Sequence, residues 1–558
     1  MNPKRSSTSA DSTTATVPAL IVGGGPVGLS ASVLFGRFGI PSLLVERHPG
    51  TTVHPKARGV NIRSMELFRQ WSIETQLRTH ALPPEAMRFI WAESLQSQEI
   101  ARISAQQYES GQHSPTEYCL VSQDWVEAEL CRCALAYPSS QLRFSTELMA
   151  FEQDNTGVTA RLVNRETGEE EMVRAHYLIA ADGAHSGVRQ TLGIEMQGPD
   201  NLRHLCSIYC QVDLTPWLSN RPCVGFFFTH PSWSSGAYML SVDGAKRWLF
   251  GVPYQPKGSY QGQDFTSLTA LAVVRSLVGD PLIAAEILDI GFWTMAAQVA
   301  SAYQQGRVFL AGDAAHRLPP TGGLGMNTGI QDVHNLTWKL AATLKGWASP
   351  ALLETYEAER APVARTNIEW SLENTKRIVQ VYEALKRGDE KAAVSGISEQ
   401  HRHLESEGLD LGFVYTSAAI IPDQTEPTAT SPSQYTPSTV PGSRAPHVWL
   451  MRDGHLISTL DLFDQHFVLL VGPKGQSWCE AARRLAYSKG LPLDAYCIAD
   501  DGDLQDLEGN WLSTYELSED GALLIRPDGH IAWRRQKASQ EPEADLQGVL
   551  GQILGLAM

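Results

Sequence analysis

Short apolar runs, punctuated by glycine and followed by an apolar rhythm of helical spacing, open the ordered part of this chain. Leu20-Ile21-Val22 reads as a buried strand, with order expected to begin at Ala19. Leu29, Val33, Leu34 and Phe38 then recur at helical spacing, and residues 42–45 form a second apolar strand ending at Glu46. Strand, helix and strand in this length predict a parallel crossover unit. Between residues 89 and 103 the pattern alternates as a half-buried strand does. A helix rich in Glu, Ala and Leu is expected over 123–135, and strands near 142–144, 157–162 and 177–180.

From 207 to 293 the strands become dense in aromatics, including Phe226, Phe227, Phe228, Trp233, Tyr238, Trp248 and Phe250. They predict a sheet that walls an apolar chamber. Helices follow from 330 to about 385. Residues 422–446 are rich in Pro, Ser and Thr and read as a linker. Beyond it, strands at 467–471, 523–526 and 531–533 alternate with one clear helix at 476–488. The expected division is a disordered tail (1–18), a nucleotide-binding domain in two parts (19–200 and 301–345), and a substrate-binding sheet domain (201–300). A helical segment (346–421), the linker and a C-terminal unit (447–558) complete it.

Composition narrows the function only a little. Of 558 residues, 43% are hydrophobic and 19% charged, which suits a globular protein with a sizeable core. A net charge of −16 argues against a nucleic-acid or anionic-membrane surface. The eight cysteines show no paired ligand spacing, so buried free thiols are expected and no metal site. No run approaches the ~18 apolar residues of a membrane span. The polar N-terminus lacks a secretory apolar stretch, and a cytoplasmic location is expected.

Three motifs carry the chemistry. In GGGPVG, Gly23, Gly25 and Gly28 fall on a G-x-G-x-x-G template, with Pro26 and Val27 between, after a strand and before a helix. Gly23 allows the turn, Gly25 the approach of a pyrophosphate, and Gly28 close packing of helix on strand. The helix N-terminus then offers unpaired N–H groups to the anion. Glu46, followed by Arg47, stands where a carboxylate meets ribose hydroxyls. This motif alone leaves NAD and FAD open. The third motif decides: a buried strand delivers Asp313, and TGGLGMN starts a helix at about Asn327. An aspartate at a strand end beside a glycine-rich helix start can clamp a polyol chain and a second polar edge of one extended ligand.

GGGPVG, the AADGAHSGVR segment at 180–189 and the GDAAHRLPPTGGLGMNTG segment at 312–329, in this order and spacing, resemble the FAD-dependent aromatic hydroxylases. These are the single-component monooxygenases with a p-hydroxybenzoate-hydroxylase-like fold. HPKARGVNIRSMELFRQW, residues 54–71, resembles their phenol and polyketide hydroxylase branch. The resemblance implies an α/β fold: a Rossmann-like FAD-binding domain interleaved with a β-sheet substrate domain. A thioredoxin-like C-terminal domain is implied by PGSRAPHVWL and GALLIRPDGHIAWR. It implies FAD as cofactor, NADPH or NADH as transient co-substrate, and O2 and a small aromatic as the other reactants. Asp313 is implied to bond the ribityl chain, and backbone groups of Gly325, Met326 and Asn327 to meet the pyrimidine edge of the isoalloxazine. Asp182 and Gln123 are implied to contact the flavin, with an ordinary N-cap as the competing reading for Asp182. Arg58, at the place where some phenol hydroxylases carry an aspartate, is the first candidate to touch the isoalloxazine or NAD(P)H.

The implied reaction is attack of a flavin C4a-hydroperoxide on an electron-rich ring. Tyr238 and His230 are candidates for activating the phenol. No arginine pair marks a carboxylate clamp on the aromatic sheet, which favours a neutral phenol or polycyclic aromatic over a simple benzoate. The resemblance of the Arg58 loop implies secondary metabolism more than phenol catabolism. Epoxidation or Baeyer–Villiger cleavage is the rival chemistry, and a flavin-binding protein without turnover the rival class. In the C-terminal unit Trp478-Cys479-Glu480-Ala481-Ala482 lacks the second cysteine of a redox motif. That unit is expected to be structural or an oligomer interface.

Overall fold

The computed structural model describes residues 15–104, 112–219, 221–233, 235–255, 265–425 and 431–557. The first strand, Ala15–Val22, begins four residues before the expected Ala19, because residues 15–17 already pair in parallel with 173–175. The rest of the expected disordered tail, residues 1–14, lies outside the described residues. Helix Pro26–Arg37 and strand Ser42–Val45 complete the crossover. Five strands run parallel in the order Val308–Leu310, Glu170–Ala180, Ala15–Val22, Ser42–Val45 and Ser140–Arg143. Their near-continuous apolar character is what burial on both faces demands. Helices Gln123–Leu135 and Leu324–Leu344 pack on Pro26–Arg37. The second helix starts at Leu324, one turn earlier than the expected Asn327.

The second sheet has seven strands in the order Glu286–Met295, Arg203–Gln211, Arg247–Pro253, Ala237–Ser241, Gly225–Phe228, Arg88–Ala92 and Glu99–Ser104. Period-two alternation gives it two different faces. Phe226, Phe228, Trp248 and Phe250 point to helix Ser267–Val278, and Trp233 packs against that same core. Only Phe227 and Tyr238 of the expected aromatic wall face the open side. The expectation counted both faces of each strand as one.

Residues 431–446 depart from the expected linker. Thr439, Val440, Ser443, Arg444 and Ala445 are buried, and the Arg444 Nε donates to Glu66 at 3.0 Å. A Pro- and Ser-rich composition predicts poor burial only when its charges lack partners, and here Arg444 has one. Residues 426–430 lie outside the described residues.

The C-terminal sheet runs Leu493–Cys497, Phe467–Val471, Ala522–Ile525, Ile531–Arg535, with the first pair parallel and the others antiparallel. Its alternation splits too. Val468 and Leu470 face the unit's own core, while Phe467, Leu469 and Val471 join the core of the nucleotide-binding domain. Cys479 and Cys497 are free and buried, and burial pushes the Cys479 thiol up to about 12.

Candidate active site

Gly23 has φ of 111°, and a Cβ there would lie 2.2 Å from the Ala181 carbonyl oxygen. A Cβ on Gly28 would meet the Gly23 carbonyl oxygen at 2.0 Å, whereas one on Gly25 would meet nothing within 4 Å. The first and third glycines thus let the chain close on itself, and the second leaves space at the start of the helix. Pro26 is the first helical residue and has no N–H to lose, which leaves the Val27 and Gly28 N–H groups pointing out of the first turn. Glu46 accepts from the Gly24 N–H at 2.6 Å and the His48 N–H at 2.9 Å, which fixes its carboxylate at the edge of this turn. Arg47 is exposed at the rim.

Asp313 follows the strand Val308–Leu310 and is exposed to the cavity, with no ion pair among the described residues. Its neighbour Gly312 donates its N–H to Asp332 at 3.1 Å. Burial would raise the Asp332 carboxyl, but His316 at 2.6 Å and Arg360 at 2.9 Å outweigh it and hold it below its usual range. Gly323, with φ of 68°, caps the helix that presents the N–H groups of Gly325 and Met326. Asn327, the next residue of that turn, also has a structural task. Its side chain accepts from the Asn61 N–H at 3.1 Å and donates to the Gly59 carbonyl at 3.1 Å, which ties the helix to the loop carrying Arg58.

One cavity of about 2270 Å³ joins both clamps to the open face of the seven-stranded sheet. Arg58 lines it, half-buried. Its Nε donates to the Ser241 carbonyl at 2.8 Å, Nη1 makes only a 3.4 Å contact to the Lys56 carbonyl, and Nη2 has no partner. Burial pushes this guanidinium down to about 10, with the Asp124 carboxylate opposing. Tyr238 faces the same space, 3.4 Å from the Ser207 Oγ, which in turn accepts from the Trp293 indole at 3.0 Å. Burial raises the Tyr238 phenol, so it stays protonated and can donate.

Two family models match the chain. One, described as an FAD binding domain, covers residues 16–371, and the other, described as the C-terminal domain of aromatic-ring hydroxylases, covers 438–557. The chain belongs to the FAD-dependent aromatic-ring hydroxylases. A 4-methyl-5-nitrocatechol 5-monooxygenase of Burkholderia is 37% identical over 96% of this chain and 97% of the relative. A tetracenomycin A2 monooxygenase-dioxygenase of Streptomyces glaucescens is also 37% identical, over 96% and 97%. The flavin-dependent monooxygenase PieE, solved with FAD and substrate, superposes with a TM-score of 0.90 at 33% identity, covering 97% and 99%. Aklavinone-11 hydroxylase, solved with FAD and aklavinone, gives 0.82 at 33% identity over the same shares.

The residues present fit the family's FAD. The Gly25 gap would be filled by any Cβ, and Asp313 is a carboxylate without a partner at the far clamp. Among the described residues no cluster could hold a metal ion. Two other expected contacts, Gln123 and Asp182, line the same cavity and also bond within the chain. The Gln123 amide accepts from the Lys56 and Ala57 N–H groups at 3.2 and 3.1 Å and donates to Glu127 at 2.7 Å, so it holds the Arg58 loop. Asp182 accepts from the Val188 N–H at 3.2 Å as an N-cap-like group, while its Oδ1 is buried without a partner beside the cavity. His230 is a correction. It lies on the helix side of the sheet, where Nε2 meets Ser276 at 3.0 Å and Nδ1 accepts from the Ser232 N–H at 3.2 Å, and it does not line the cavity. A strand-end residue takes its side from the pleat, and His230 takes the wrong one. His54, in contrast, lines the cavity, and no sequence argument singled it out.

Proposed function

We propose that this hydroxylase uses NADPH or NADH, FAD and O2 to hydroxylate a phenolic or polyketide-derived aromatic ring in secondary-metabolite tailoring. The observation that carries the reading is the single cavity running from the glycine turn past Asp313 to the apolar sheet face. FAD, when bound, supplies reduction by the nicotinamide and activation of oxygen.

The chain's own residues do the rest. Val27 and Gly28 N–H groups and the helix dipole meet the pyrophosphate, and Glu46 the adenosine ribose. Asp313 bonds the ribityl hydroxyls, and Gly325 and Met326 offer N–H groups to the ring edge. Phe227, Leu240 and Leu249 keep the reacting region dry, with Pro319 and Pro320 closing the opposite wall. Tyr238 donates a hydrogen bond to the substrate oxygen. Relatives named as polyketide hydroxylases accord with tailoring, and stand beside relatives named as nitrocatechol and phenol monooxygenases.

Anaerobic stopped-flow reduction of the FAD-loaded protein by NADPH and NADH tests this. The ligands are phenol, catechol, 1-naphthol, their 4-nitro derivatives and 1,8-dihydroxyanthraquinone. At least one ligand should speed reduction about tenfold or more, and aerobic turnover should add one oxygen to its intact ring. Protein that cannot be loaded with FAD, or reduction that no ligand accelerates, overturns the reading. Ring opening or lactone formation replaces hydroxylation with Baeyer–Villiger insertion.

A further inference from the structure

Pairing register places Gly291, Ser207, Gly251 and Tyr238 side by side on four neighbouring strands of the cavity-facing sheet. Neighbouring strands lie about 4.8 Å apart. With glycine at two of these positions, the row is a low floor. The Tyr238 ring folds back over Gly251, where a Cβ would lie 1.9 Å from its Cζ, and its hydroxyl reaches Ser207. At the other end the His54 imidazole rests over Gly291, with Cε1 3.5 Å and Nε2 3.9 Å from where a Cβ would stand. The Tyr238 hydroxyl and the His54 ring therefore face each other across about one strand spacing. One ligand oxygen can hydrogen-bond to both across that width.

His54 is oriented for the task. Its Nδ1 lies 2.7 Å from the Asp289 Oδ2, which makes Nδ1 the donor and leaves Nε2 a lone pair. Among the described residues nothing bonds Nε2. Burial holds the imidazole below 6.5 and the nearby cations Arg58 and Lys56 add to that, with Asp289 opposing, so the ring is neutral at pH 7. The remaining neighbour, the Tyr209 ring, has its centroid 5.8 Å away.

We propose that His54, positioned by Asp289, takes the proton of the substrate phenol, whose oxygen sits between Nε2 and the Tyr238 hydroxyl. The phenol O–H bond breaks and its electron pair stays on oxygen. The proton rests on Nε2 and leaves from there to water that enters the cavity as product departs. That restores the Nδ1–H tautomer held by Asp289, and Arg58 holds the phenolate charge. This rests on the hydroxylase reading above.

The test compares His54→Gln and Asp289→Asn holoenzymes with the wild type, using phenol with 4-nitrophenol and 1-naphthol with 4-nitro-1-naphthol. Each nitro compound brings a hydroxyl that ionises near neutral pH without help. His54→Gln should lose tenfold or more in kcat/KM for the parent phenol at pH 7 and little for its nitro partner at pH 8. Its rate should recover as pH rises toward the parent's own ionisation, and the wild-type decline at acid pH should vanish. Asp289→Asn should behave like His54→Gln, because an amide donating to Nδ1 moves the proton to Nε2. Equal loss for parent and nitro partner, or no loss for the parent, overturns the proposal and leaves the hydroxylase reading intact. If no member of either pair is turned over, the base is assigned to the wrong substrate class and the proposal falls. Failure of FAD loading takes both readings down.

Discussion

At the scale of single residues, Arg58 sets the terms. A guanidinium carries five N–H donors, and Arg58 uses one well and one poorly. Asp124, the carboxylate whose charge reaches it, is already engaged by Arg247 at 2.8 Å. An uncompensated cation in a half-buried place costs the empty protein stability and is of use only when a negative charge forms beside it. Replacing it with methionine should therefore separate the two effects. Arg58→Met should raise the stability of the ligand-free protein by about 1 kcal/mol. The same variant should lower substrate-stimulated turnover on the order of a hundredfold. Thermal melts and steady-state rates on one preparation check both, and a melting temperature that falls would show that Arg58 supports the fold.

At the scale of elements, the two clamps are one rigid body because two helices cross on glycine. A Cβ on Gly329, in helix Leu324–Leu344, would lie 2.6 Å from the Val27 Cγ2 and 3.0 Å from the Gly312 Cα. Those neighbours belong to the pyrophosphate turn and to the segment carrying Asp313. Gly329→Val should push both ends of the flavin site apart, destabilise the protein by about 1–3 kcal/mol, and strip FAD before it unfolds the chain. Flavin fluorescence released during gel filtration reads the loss directly, and retention of FAD at wild-type affinity would refute the coupling. The same crossing explains what could be read in advance. Glycine spacing, strand polarity and Asp313 are local, so Gly23, Gly28 and Glu46 sit where their sequence context placed them. The sheet's facing is not local. Phe226 and Phe227 are neighbours in sequence, yet one faces a helix and the other the cavity. Only cross-strand register brings Gly291, Ser207 and Tyr238 into one row, with the His54 loop laid over its end, and no spacing along the chain encodes it.

At the scale of the whole molecule, the C-terminal unit is bound to the nucleotide-binding domain by charge as well as by its core. Arg526 donates to Glu359 at 2.6 Å and 2.9 Å, and Lys339 meets the same carboxylate at 2.7 Å, all buried. The Pro- and Ser-rich approach to this unit looked like a tether because burial of Arg444 on Glu66 depends on residues far apart in sequence. Several buried histidines are held neutral, three in and around this junction and His403 beside the cavity. Burial pushes His334 down to about 3 and His403, His447 and His530 to about 4, against about 6.5 in an unfolded chain. Each contributes stability that is full above about pH 6.5 and is lost as pH falls toward 4, since the unfolded chain takes up the proton first. Asp410 works the other way: burial raises it to about 7, so its contribution is present at low pH and disappears as pH rises to 7. The depressed carboxylates of Glu66, Glu359 and Asp528 add losses only at still lower pH. Four histidines outweigh one aspartate, so the protein should lose a few kcal/mol between pH 7 and pH 5. Melts of the FAD-loaded protein across that range should show a falling midpoint. His530→Asn should flatten the curve, because asparagine keeps a polar group beside Asp528 and removes one proton from the unfolded side. A midpoint that holds steady from pH 7 to 5 would mean that Asp410 balances the histidines, and Asp410→Asn would then restore the fall.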